Sequence, residues 1–302
     1  MSMLYQRMSQ VPVRLGGKTA IKLHMGDPSN VTHISPQDVR ILAEKIKANG
    51  GEPFLVDTTV LYPGARSTPK GYLKVARENG FGDFEVVISE KYEKVDGVEV
   101  AKEIVEADSL LVLTHVTGHM STGFAGAIKN LGMGGVSRKE KRKIHAPMGP
   151  RHDSSKCIAC GECVKACLFG FLQLVDERLN LTLNDCPACG GCVKACTTGA
   201  LWESSEARKK TFELLARAAR AVVSPFEGSD VAYVSVLKNI TEFCDCTKYV
   251  GAFVCEDIGY LTGKDPLEVD SRTVELIHTR NPKAMNFEAW EELKTIAINY
   301  WR

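Results

Sequence analysis

The sequence predicts an α/β fold, in which a mostly parallel sheet is flanked by helices and a small α+β module is inserted into the chain. Two observations predict this fold class. Apolar runs typical of buried strands alternate with helix signals over residues 35–116, and the alternation resumes after residue 203. Eight cysteines lie between these stretches, within residues 157–196. We therefore expect a discontinuous domain of residues 1–148 and 203–302 around a second domain at 149–202.

The element boundaries follow from capping residues and apolar periodicity. Ser35 and Pro36 mark one helix start and Gly50 its end, for example, and Asp265 with Pro266 marks another start. The predicted helices cover residues 35–50, 68–80, 101–107, 204–223, 265–278 and a last helix from Asn286. The predicted strands cover residues 54–57, 84–89, 109–116, 231–240 and 251–255.

The composition excludes several classes of protein. Hydrophobic residues make up 44% and charged residues 25%, which is ordinary for a globular protein with a substantial core. The net charge of +1 gives no global field for nucleic acid, so no nucleic-acid partner is expected. No stretch approaches the ~18 apolar residues of a membrane span, and the start lacks a secretory apolar region. A cytoplasmic protein without a membrane span is therefore predicted.

The cysteine spacing indicates iron–sulfur clusters. The pattern CxxCxxCxxxC occurs twice, and each cysteine of the second copy lies 29 positions after its counterpart, as from 157 to 186. Three cysteines of such a run hold one [4Fe–4S] cluster, and the fourth ligates the other cluster in two-cluster ferredoxins. A zinc ribbon or free thiols are the alternatives, but zinc takes about four ligands per site. The predicted ligand sets are Cys157, Cys160, Cys163 and Cys196 for the first cluster, and Cys186, Cys189, Cys192 and Cys167 for the second.

A ferredoxin-like α+β module with two [4Fe–4S] clusters is therefore expected at residues 149–202. Leu168 and Thr197 follow the fourth cysteine of each copy, where bacterial ferredoxins usually have proline. This difference concerns the local turn rather than the ligands.

A glycine-rich segment after the strand at 109–116 is the leading candidate for a binding site. Ligands often bind at the carboxyl ends of parallel strands, and glycines let a ligand approach backbone N–H groups. His115, His119 and Lys129 are the candidate catalytic residues. The alternative is that the glycines serve packing. The candidate cofactor-binding residues here are Gly123, Gly126, Lys129, Gly132 and Gly134.

Two further segments carry candidate sites. The basic run at 137–145 predicts either a solvated face or contact with an anionic small molecule or an acidic redox partner. Cys244, Cys246 and Cys255 are either buried structural thiols or an additional metal or redox site, which a histidine such as His24 could complete. A further metal or small-molecule ligand is therefore a candidate besides the clusters.

Four stretches of the chain resemble the DUF362 family. They are KLHMGDPSNVTHI at 22–34, GHMSTGFAGAIKNLGMGG in the glycine-rich segment, the doubled cysteine motif, and NITEFCDC through DIGYLTGKDPLEVD. The resemblance implies an α/β domain accompanied by a 4Fe–4S module and electron transfer, without a substrate. It also favours function for the glycine-rich segment, including Asn130 as a candidate cofactor-binding residue, and for the CDC segment.

Two functions are compatible with these patterns. The first is an iron–sulfur electron-transfer protein, a candidate oxidoreductase, that feeds electrons to a small-molecule or metal site in the α/β domain. The second is a non-catalytic ferredoxin-like subunit or maturation factor that docks on a larger oxidoreductase. A redox partner protein is expected in both cases.

Overall fold

The computed structural model describes residues 2–204, 206–226, 230–247 and 249–301. In chain order its strands are β1 (Met3–Tyr5), β2 (Lys18–Lys22), β3 (Glu52–Thr58), β4 (Val86–Ser89), β5 (Tyr92–Val95), β6 (Val98–Ala101), β7 (Ser109–His115), β8 (Thr117–His119), β9 (Gly123–Ala125), β10 (Arg151–His152), β11 (Leu172–Val175), β12 (Arg178–Leu181), β13 (Leu201–Trp202), β14 (Val231–Leu237) and β15 (Gly259–Gly263). Its helices are α1 (Pro36–Ala48), α2 (Pro69–Ala76), α3 (Lys102–Val105), α4 (Ala127–Gly134), α5 (Arg138–His145), α6 (Glu162–Lys165), α7 (Gly191–Lys194), α8 (Ala207–Val223), α9 (Pro266–Arg280) and α10 (Phe287–Trp301).

Seven strands form the central sheet in the order β1-β15-β14-β7-β2-β3-β4. The five strands from β14 to β4 are parallel to their neighbours, whereas β15 and β1 pair antiparallel at one edge. The predicted fold class, a mostly parallel sheet flanked by helices, is confirmed. No helix in the described ranges combines the length and the apolar character needed to cross a bilayer.

Helices cover both faces of the sheet, because the strands are apolar on both sides. Leu110 and Val112 of β7 face a cluster that includes side chains of α4, α8, α9 and α10. Leu111 and Leu113 of the same strand face a second cluster with α1 and α2. Successive side chains of a strand point to opposite faces, so a strand buried on both sides carries a continuous apolar run.

Local capping explains the helix starts that the sequence predicts. Ser35 Oγ accepts the N–H of Gln37 (3.2 Å) at the start of α1, and Asp265 Oδ1 accepts the N–H of Glu268 (2.8 Å) at the start of α9. Both predicted starts are confirmed. The helix expected from Ser204 instead begins at Ala207, whose N–H donates to the Ser204 carbonyl (3.0 Å).

The strand predicted at 251–255 is wrong. Gly251 has a φ of 72°, and Phe253 is 66% exposed. Phe253 forms only an isolated bridge with Thr241, and the sheet continues with β15 instead. An apolar run whose side chains find no core to cover does not become a sheet strand.

Residues 149–202, which we call the cysteine module, contain a small hydrophobic cluster of their own. The cluster comprises Cys163, Leu172, Leu179, Cys192 and Leu201. β11 and β12 form a hairpin, and β10 pairs with β13, so the chain enters and leaves the module through neighbouring strands. The division of the chain into two domains stays a prediction.

Candidate functional site

A cavity of about 190 Å³ opens at the carboxyl edge of the parallel sheet. β2 ends beside it at Lys22, β3 supplies Asp57, and β7 supplies His115. Open α/β sheets bind ligands at this edge, beyond the carboxyl ends of the strands. The other titratable or charged residues of the wall come from the loops and helices that follow these strands: His24, Arg66, His119, Lys129, Lys141, His145 and Asp245.

Lys22 and Asp57 form a buried ion pair at the floor of the cavity. Lys22 Nζ lies 3.0 Å from Asp57 Oδ1 and 2.7 Å from Asn130 Oδ1. The hydroxyl of Tyr72 donates to Asp57 Oδ2 (2.5 Å). Burial by itself would raise the pKa of Asp57, but Lys22, His24 and Lys141 together hold that pKa below its usual range. Burial lowers the pKa of Lys22, and the charge of Asp57 opposes that effect.

His115 and Asp245 form a second buried pair. His115 Nδ1 lies 3.0 Å from Asp245 Oδ2, and His115 Nε2 lies 2.9 Å from the carbonyl of Lys238. Burial by itself would lower the pKa of His115, but the neighbouring carboxylate outweighs burial and the pKa is raised. Because both ring nitrogens face acceptors, the protonated ring is the form that this environment favours.

Burial lowers the pKa of four other groups in the wall. The pKa falls to about 8 for Lys129, to about 7 for Lys141 and to about 4 for His145, and it falls well below the usual range for His119. Lys141 donates to Thr58 Oγ1 (2.6 Å) and to the Thr59 carbonyl, which are both neutral. Within the described ranges Lys129 has neither a hydrogen bond nor an ion pair. Each of these two lysines, Lys129 and Lys141, can therefore gain or lose a proton near neutral pH.

The glycine-rich segment contributes only part of its predicted binding residues to the cavity. Gly126, Lys129, Asn130 and Gly134 line it, as do His115 and His119. Gly123 and Gly132 pack elsewhere: a Cβ on Gly123 would meet the backbone of Asn286, and one on Gly132 would meet the carbonyl of Leu215 in α8. The segment contains β8 and β9, and its last part is helical, since α4 begins at Ala127.

The amino end of α4 faces a carboxylate of the protein itself. Asp270 of α9 accepts the N–H groups of Ala127 (2.8 Å) and Ile128 (3.1 Å). Asp270 is fully buried. These two N–H groups are therefore satisfied by an internal cap and are not open to a ligand.

The CDC segment lies in the wall of the same cavity. The Sγ atoms of Cys244 and Cys246 are bonded to each other, and a ring nitrogen of His119 completes a group of possible ligand atoms within 4.8 Å of one another. Across the described residues this group includes neither Cys255 nor His24. Cys255 packs instead against the large hydrophobic cluster. The structure thus brings two of the three additional cysteines to a histidine.

Hydrogen bonds hold the CDC segment in place. The carbonyl of Cys246 accepts from Arg66 Nη2 and from the hydroxyl of Tyr62, each at 2.6 Å. The carbonyl of Asp245 accepts the N–H of Asp27 (3.1 Å), and its side chain binds His115. Gly118 N–H donates to Thr241 O (2.8 Å), which aligns β8, and with it His119, beside this segment.

The structure brings together each predicted set of four cluster cysteines. One small pocket is lined by Cys157, Cys160, Cys163 and Cys196, so a cysteine of the second repeat joins three of the first. In the second set, Cys167 of the first repeat lies near cysteines of the second repeat. Besides burial, its charge and that of Cys189 raise the pKa of Cys186 and of Cys192. Burial raises the pKa of Cys192 to about 12 in the absence of a metal. Four converging sulfurs fit a [4Fe–4S] cluster, which stabilises their thiolate forms.

Backbone donors around these sulfurs also fit cluster binding. The N–H of Phe171 points at Cys167 Sγ (3.2 Å), that of Ala188 at Cys186 Sγ (3.4 Å) and that of Leu201 at Cys196 Sγ (3.3 Å). Gly161 and Gly190, at equivalent places in the repeat, both have positive φ, at 79° and 73°. Glycine adopts such φ values without the steric cost of a Cβ, and turns of this kind let N–H groups face the cluster ligands.

The cysteine module lies against the cavity. Phe169, Pro187 and Cys189 belong to the cavity wall, although they come from the module. The rings of Tyr62 and Phe169 are 4.8 Å apart, and Ser121 Oγ donates to the Ala188 carbonyl (3.1 Å). A predicted cluster ligand therefore shares one cavity with the charged residues of the sheet edge.

The basic run forms α5, and its charged side chains are divided between solvent and contacts within the protein. Arg138 and Arg142 both bind Asp185 of the module, at 3.1 and 2.5 Å. Lys141 points into the cavity, while Lys139 and Lys143 pair with Glu99 (2.8 Å) and Glu140 (2.6 Å). The run therefore contacts the cysteine module through Asp185 and supplies one cavity lysine.

Several residues of the wall were not predicted from the sequence. Lys22 and Asp57 had a usable signal, since each is a charge at the carboxyl end of an otherwise apolar strand. Arg66, His145 and Thr211 had none, because each lies in an element whose place against the sheet depends on the fold.

Comparison with known proteins identifies the family. The family model described as "Domain of unknown function (DUF362)" matches residues 19–275. No curated protein matches the sequence. Two solved structures are similar in part. The lactate racemase apoprotein from Thermoanaerobacterium thermosaccharolyticum is 13% identical, with a TM-score of 0.40, and the match covers 91% of this chain and 52% of that chain. A protein from Thermotoga maritima is 12% identical, with a TM-score of 0.43, and the match covers 89% of this chain and 56% of that chain. This chain spans about half the length of each, and at these TM-scores neither likeness bears on function. Because the family model covers most of the sequence, the chain belongs to the DUF362 family.

Proposed function

We propose that this protein is an iron–sulfur electron-transfer protein whose cavity holds the site that receives the electrons. The observation that carries the proposal is the shared wall: Cys189 of the second predicted cluster set lines the same cavity as Lys129 and the CDC segment. Two [4Fe–4S] clusters on an inserted ferredoxin-like domain at 149–202, a redox partner and a cytoplasmic location are parts of this proposal. When bound, such clusters supply single electrons at a potential that their protein surroundings adjust.

The residues of the cavity suit a reaction that consumes protons together with electrons. Lys129 Nζ, with a pKa of about 8, carries a proton that it can release near neutral pH. His115 and Asp245 hold each other in one orientation and supply fixed charge. Phe169 and Leu61 give the wall an apolar part, and apolar surroundings strengthen electrostatic interactions.

The proposal is tested on protein purified without oxygen. We expect about eight iron atoms per chain and an electron paramagnetic resonance signal after reduction, both typical of two [4Fe–4S] clusters. Cys189→Ala should lower the iron content by about half, because it removes a ligand of the second set only. Cys255→Ala is the matched control and should keep the full iron content. Unchanged iron in Cys189→Ala, or clusters that no reductant reduces, would contradict the proposal.

A metal bound by His119, Cys244 and Cys246 is the second form that the acceptor site can take. Reduction of the cysteine pair would free two thiolates beside an imidazole, a ligand set that suits zinc or another borderline metal. Elemental analysis of the same preparation tests it: a metal other than iron should be present in the wild type and absent from Cys244→Ala. An iron-only composition in both proteins would exclude this form.

Exposed apolar side chains favour a second candidate function, that of a docking subunit for a larger oxidoreductase. Ile158 and Leu168 of the module are 67% and 74% exposed, and each follows a predicted cluster cysteine. Ile158 also borders the pocket of the first cysteine set. Ile158→Ser should slow electron entry from a protein donor while reduction by dithionite stays unchanged. Equal rates from both donors would count against docking at this face.

A further inference from the structure

The cavity wall contains three buried polar atoms without a partner. Across the described ranges Arg66 Nη1, Thr117 Oγ1 and Thr211 Oγ1 have no hydrogen-bond partner, and all three residues line the cavity. They come from three separate places: the turn after β3, β8, and α8. Buried polar groups are almost always paired, so three such atoms around one space indicate a ligand that bonds to them. Because a guanidinium only donates, the ligand must offer an acceptor to Arg66.

The charges that face the cavity select an anion. Both carboxylates of the wall are engaged, Asp57 by Lys22 (3.0 Å) and Asp245 by His115 (3.0 Å). Lys129 has no partner within the described ranges, and Lys141 bonds only to neutral oxygens. Arg66 already pairs with Asp27 (2.9 Å), so the positive charge available to a ligand is that of Lys129, supplemented by Lys141 when it is protonated.

The apolar part of the wall selects an organic molecule. Leu61, Met133, Ile144 and Leu215 line the same space as the cations. Inorganic phosphate or sulfate would leave these side chains without contact. A volume of about 190 Å³ holds a molecule of several heavy atoms, since one water occupies about 30 Å³ of liquid.

We propose that the cavity binds a small organic acid, with its anionic group near Lys129 and Arg66 and its further oxygens near Thr117 and Thr211. This inference names the substrate class for the proposed electron-accepting site, and it rests on that proposed function only for the claim that the acid is a substrate. Binding itself depends on the cavity residues alone.

Proton uptake should accompany binding. Burial lowers the pKa of Lys129 to about 8, and a bound anion opposes that effect because it favours the charged form. At about pH 8 the free protein carries a partly deprotonated Lys129 and a mostly deprotonated Lys141, and both line the cavity, so binding of an anion should take up protons. At about pH 6 both lysines are protonated before binding, so their uptake should be small. Calorimetry in buffers of different ionisation enthalpy measures this uptake.

The test uses the full chain, purified without oxygen, in titration calorimetry. The probes are butyrate, 3-hydroxybutyrate and succinate, with inorganic phosphate and butanol as comparators. We expect at least one carboxylate to bind saturably and more tightly than phosphate or butanol. Lys129→Gln should weaken binding by about tenfold or more, the effect of losing a charged hydrogen bond. Lys209→Gln, at an exposed lysine, is the control and should change nothing.

A second pair of variants separates binding from folding. Thr211→Val removes an unpaired buried hydroxyl in the cavity, and Thr273→Val removes one that does not line it. Both should leave the melting temperature unchanged or higher, since no hydrogen bond is lost. Only Thr211→Val should weaken carboxylate binding.

The outcomes distinguish this inference from the proposed function. Absence of saturable carboxylate binding, preference for phosphate, or equal affinity in Lys129→Gln, Thr211→Val and their controls would overturn the organic-acid inference, even if the iron content and the reduction are as expected. Carboxylate binding with the expected losses, in a protein whose iron centres cannot be reduced, would support it and contradict electron transfer.

Discussion

Asp245 connects the CDC segment to the sheet. Its side chain lies 3.0 Å from His115 Nδ1 and 3.8 Å from His24 Nε2, and its neighbours in sequence are the two cysteines of the cavity wall. Burial by itself would raise the pKa of Asp245, but the charges of His24 and His115 lower it. A buried carboxylate is stable only with such partners. Asp245 therefore anchors the CDC segment through a carboxylate that the two histidines keep charged.

The His115–Asp245 pair predicts a pH dependence. His115 has a pKa above the usual ~6.5, so the folded protein binds more protons than the unfolded chain above about pH 6.5. The stabilisation is complete below that pH and is lost as pH rises through the raised pKa. In Asp245→Asn burial remains without the compensating charge, so the pKa of His115 should fall below ~6.5. Histidine NMR titration measures both values.

Two controls make this prediction specific. His115→Gln assigns the resonance, and Asp83→Asn removes an exposed carboxylate whose side chain is 76% exposed. Asp83→Asn should leave the His115 titration unchanged. A wild-type His115 that titrates at or below ~6.5 would show that the pair does not stabilise the charged ring.

The Lys22–Asp57 pair orients a neighbouring side chain. Asn130 and Tyr72 complete its hydrogen bonds, at 2.7 and 2.5 Å. Buried ion pairs add little net stability, because desolvation offsets the attraction. A buried ion pair can nevertheless orient neighbouring side chains, and here Lys22 holds the side chain of Asn130 at the cavity floor.

At the scale of elements, the packing of α4 on α8 positions Lys129. Gly132 of α4 lies against α8, where an added Cβ would be 2.6 Å from the Leu215 carbonyl oxygen and 2.8 Å from its Cδ1. The two helices therefore approach closely only because this residue has no side chain. Lys129 and Asn130 lie one turn earlier on α4 and reach the cavity.

Gly132→Ala is expected to destabilise the protein by about 1–3 kcal/mol, since the overpacked backbone of α8 must move. Gly82→Ala is the matched control, because its Cβ would have no neighbour closer than 3.7 Å and its φ is −65°. That change should be neutral or stabilise by up to about 1 kcal/mol. Urea unfolding measures the free energy of unfolding of both variants. Equal changes in the two variants would show that the contact between α4 and α8 can accommodate a methyl group.

In the molecule as a whole, contacts on several sides of the cavity hold the cysteine module against the rest of the chain. Arg138 and Arg142 bind Asp185, and Tyr62 packs on Phe169. The charged contacts are partly exposed and individually weak. The aromatic contact closes the cavity wall, so we expect it to matter more for the local order of the interface.

Phe169→Ala should loosen the module locally. An aromatic pair contributes about 0.5–1.5 kcal/mol beyond its buried area. Hydrogen exchange followed by mass spectrometry should show faster exchange in peptides that contain Tyr62, Ser121 and Ala188, with little change in the central sheet. Phe253→Ala, at a ring that is 66% exposed, is the control. Identical exchange in the two variants would mean that the module is held without Phe169.

Features that depend on local spacing are predictable from the amino-acid sequence alone. Apolar periodicity and capping residues predicted α1, β3, β7 and α9, because these signals lie within each element. The 29-residue repeat, as from 157 to 186, predicted which cysteines form each set of four, and the structure brings those sets together.

Which side chains meet at the cavity depends on the packing of the whole chain. Lys22, Asp57 and His115 become neighbours because their strands, β2, β3 and β7, are adjacent in the sheet. No single segment of the sequence determines this strand order. The same holds for His119, which approaches the CDC segment where Cys255 does not. The cap of α4 by Asp270 also joins residues far apart in the chain. Contacts of this kind depend on the packing of whole elements, whereas sequence patterns report only the neighbours along the chain.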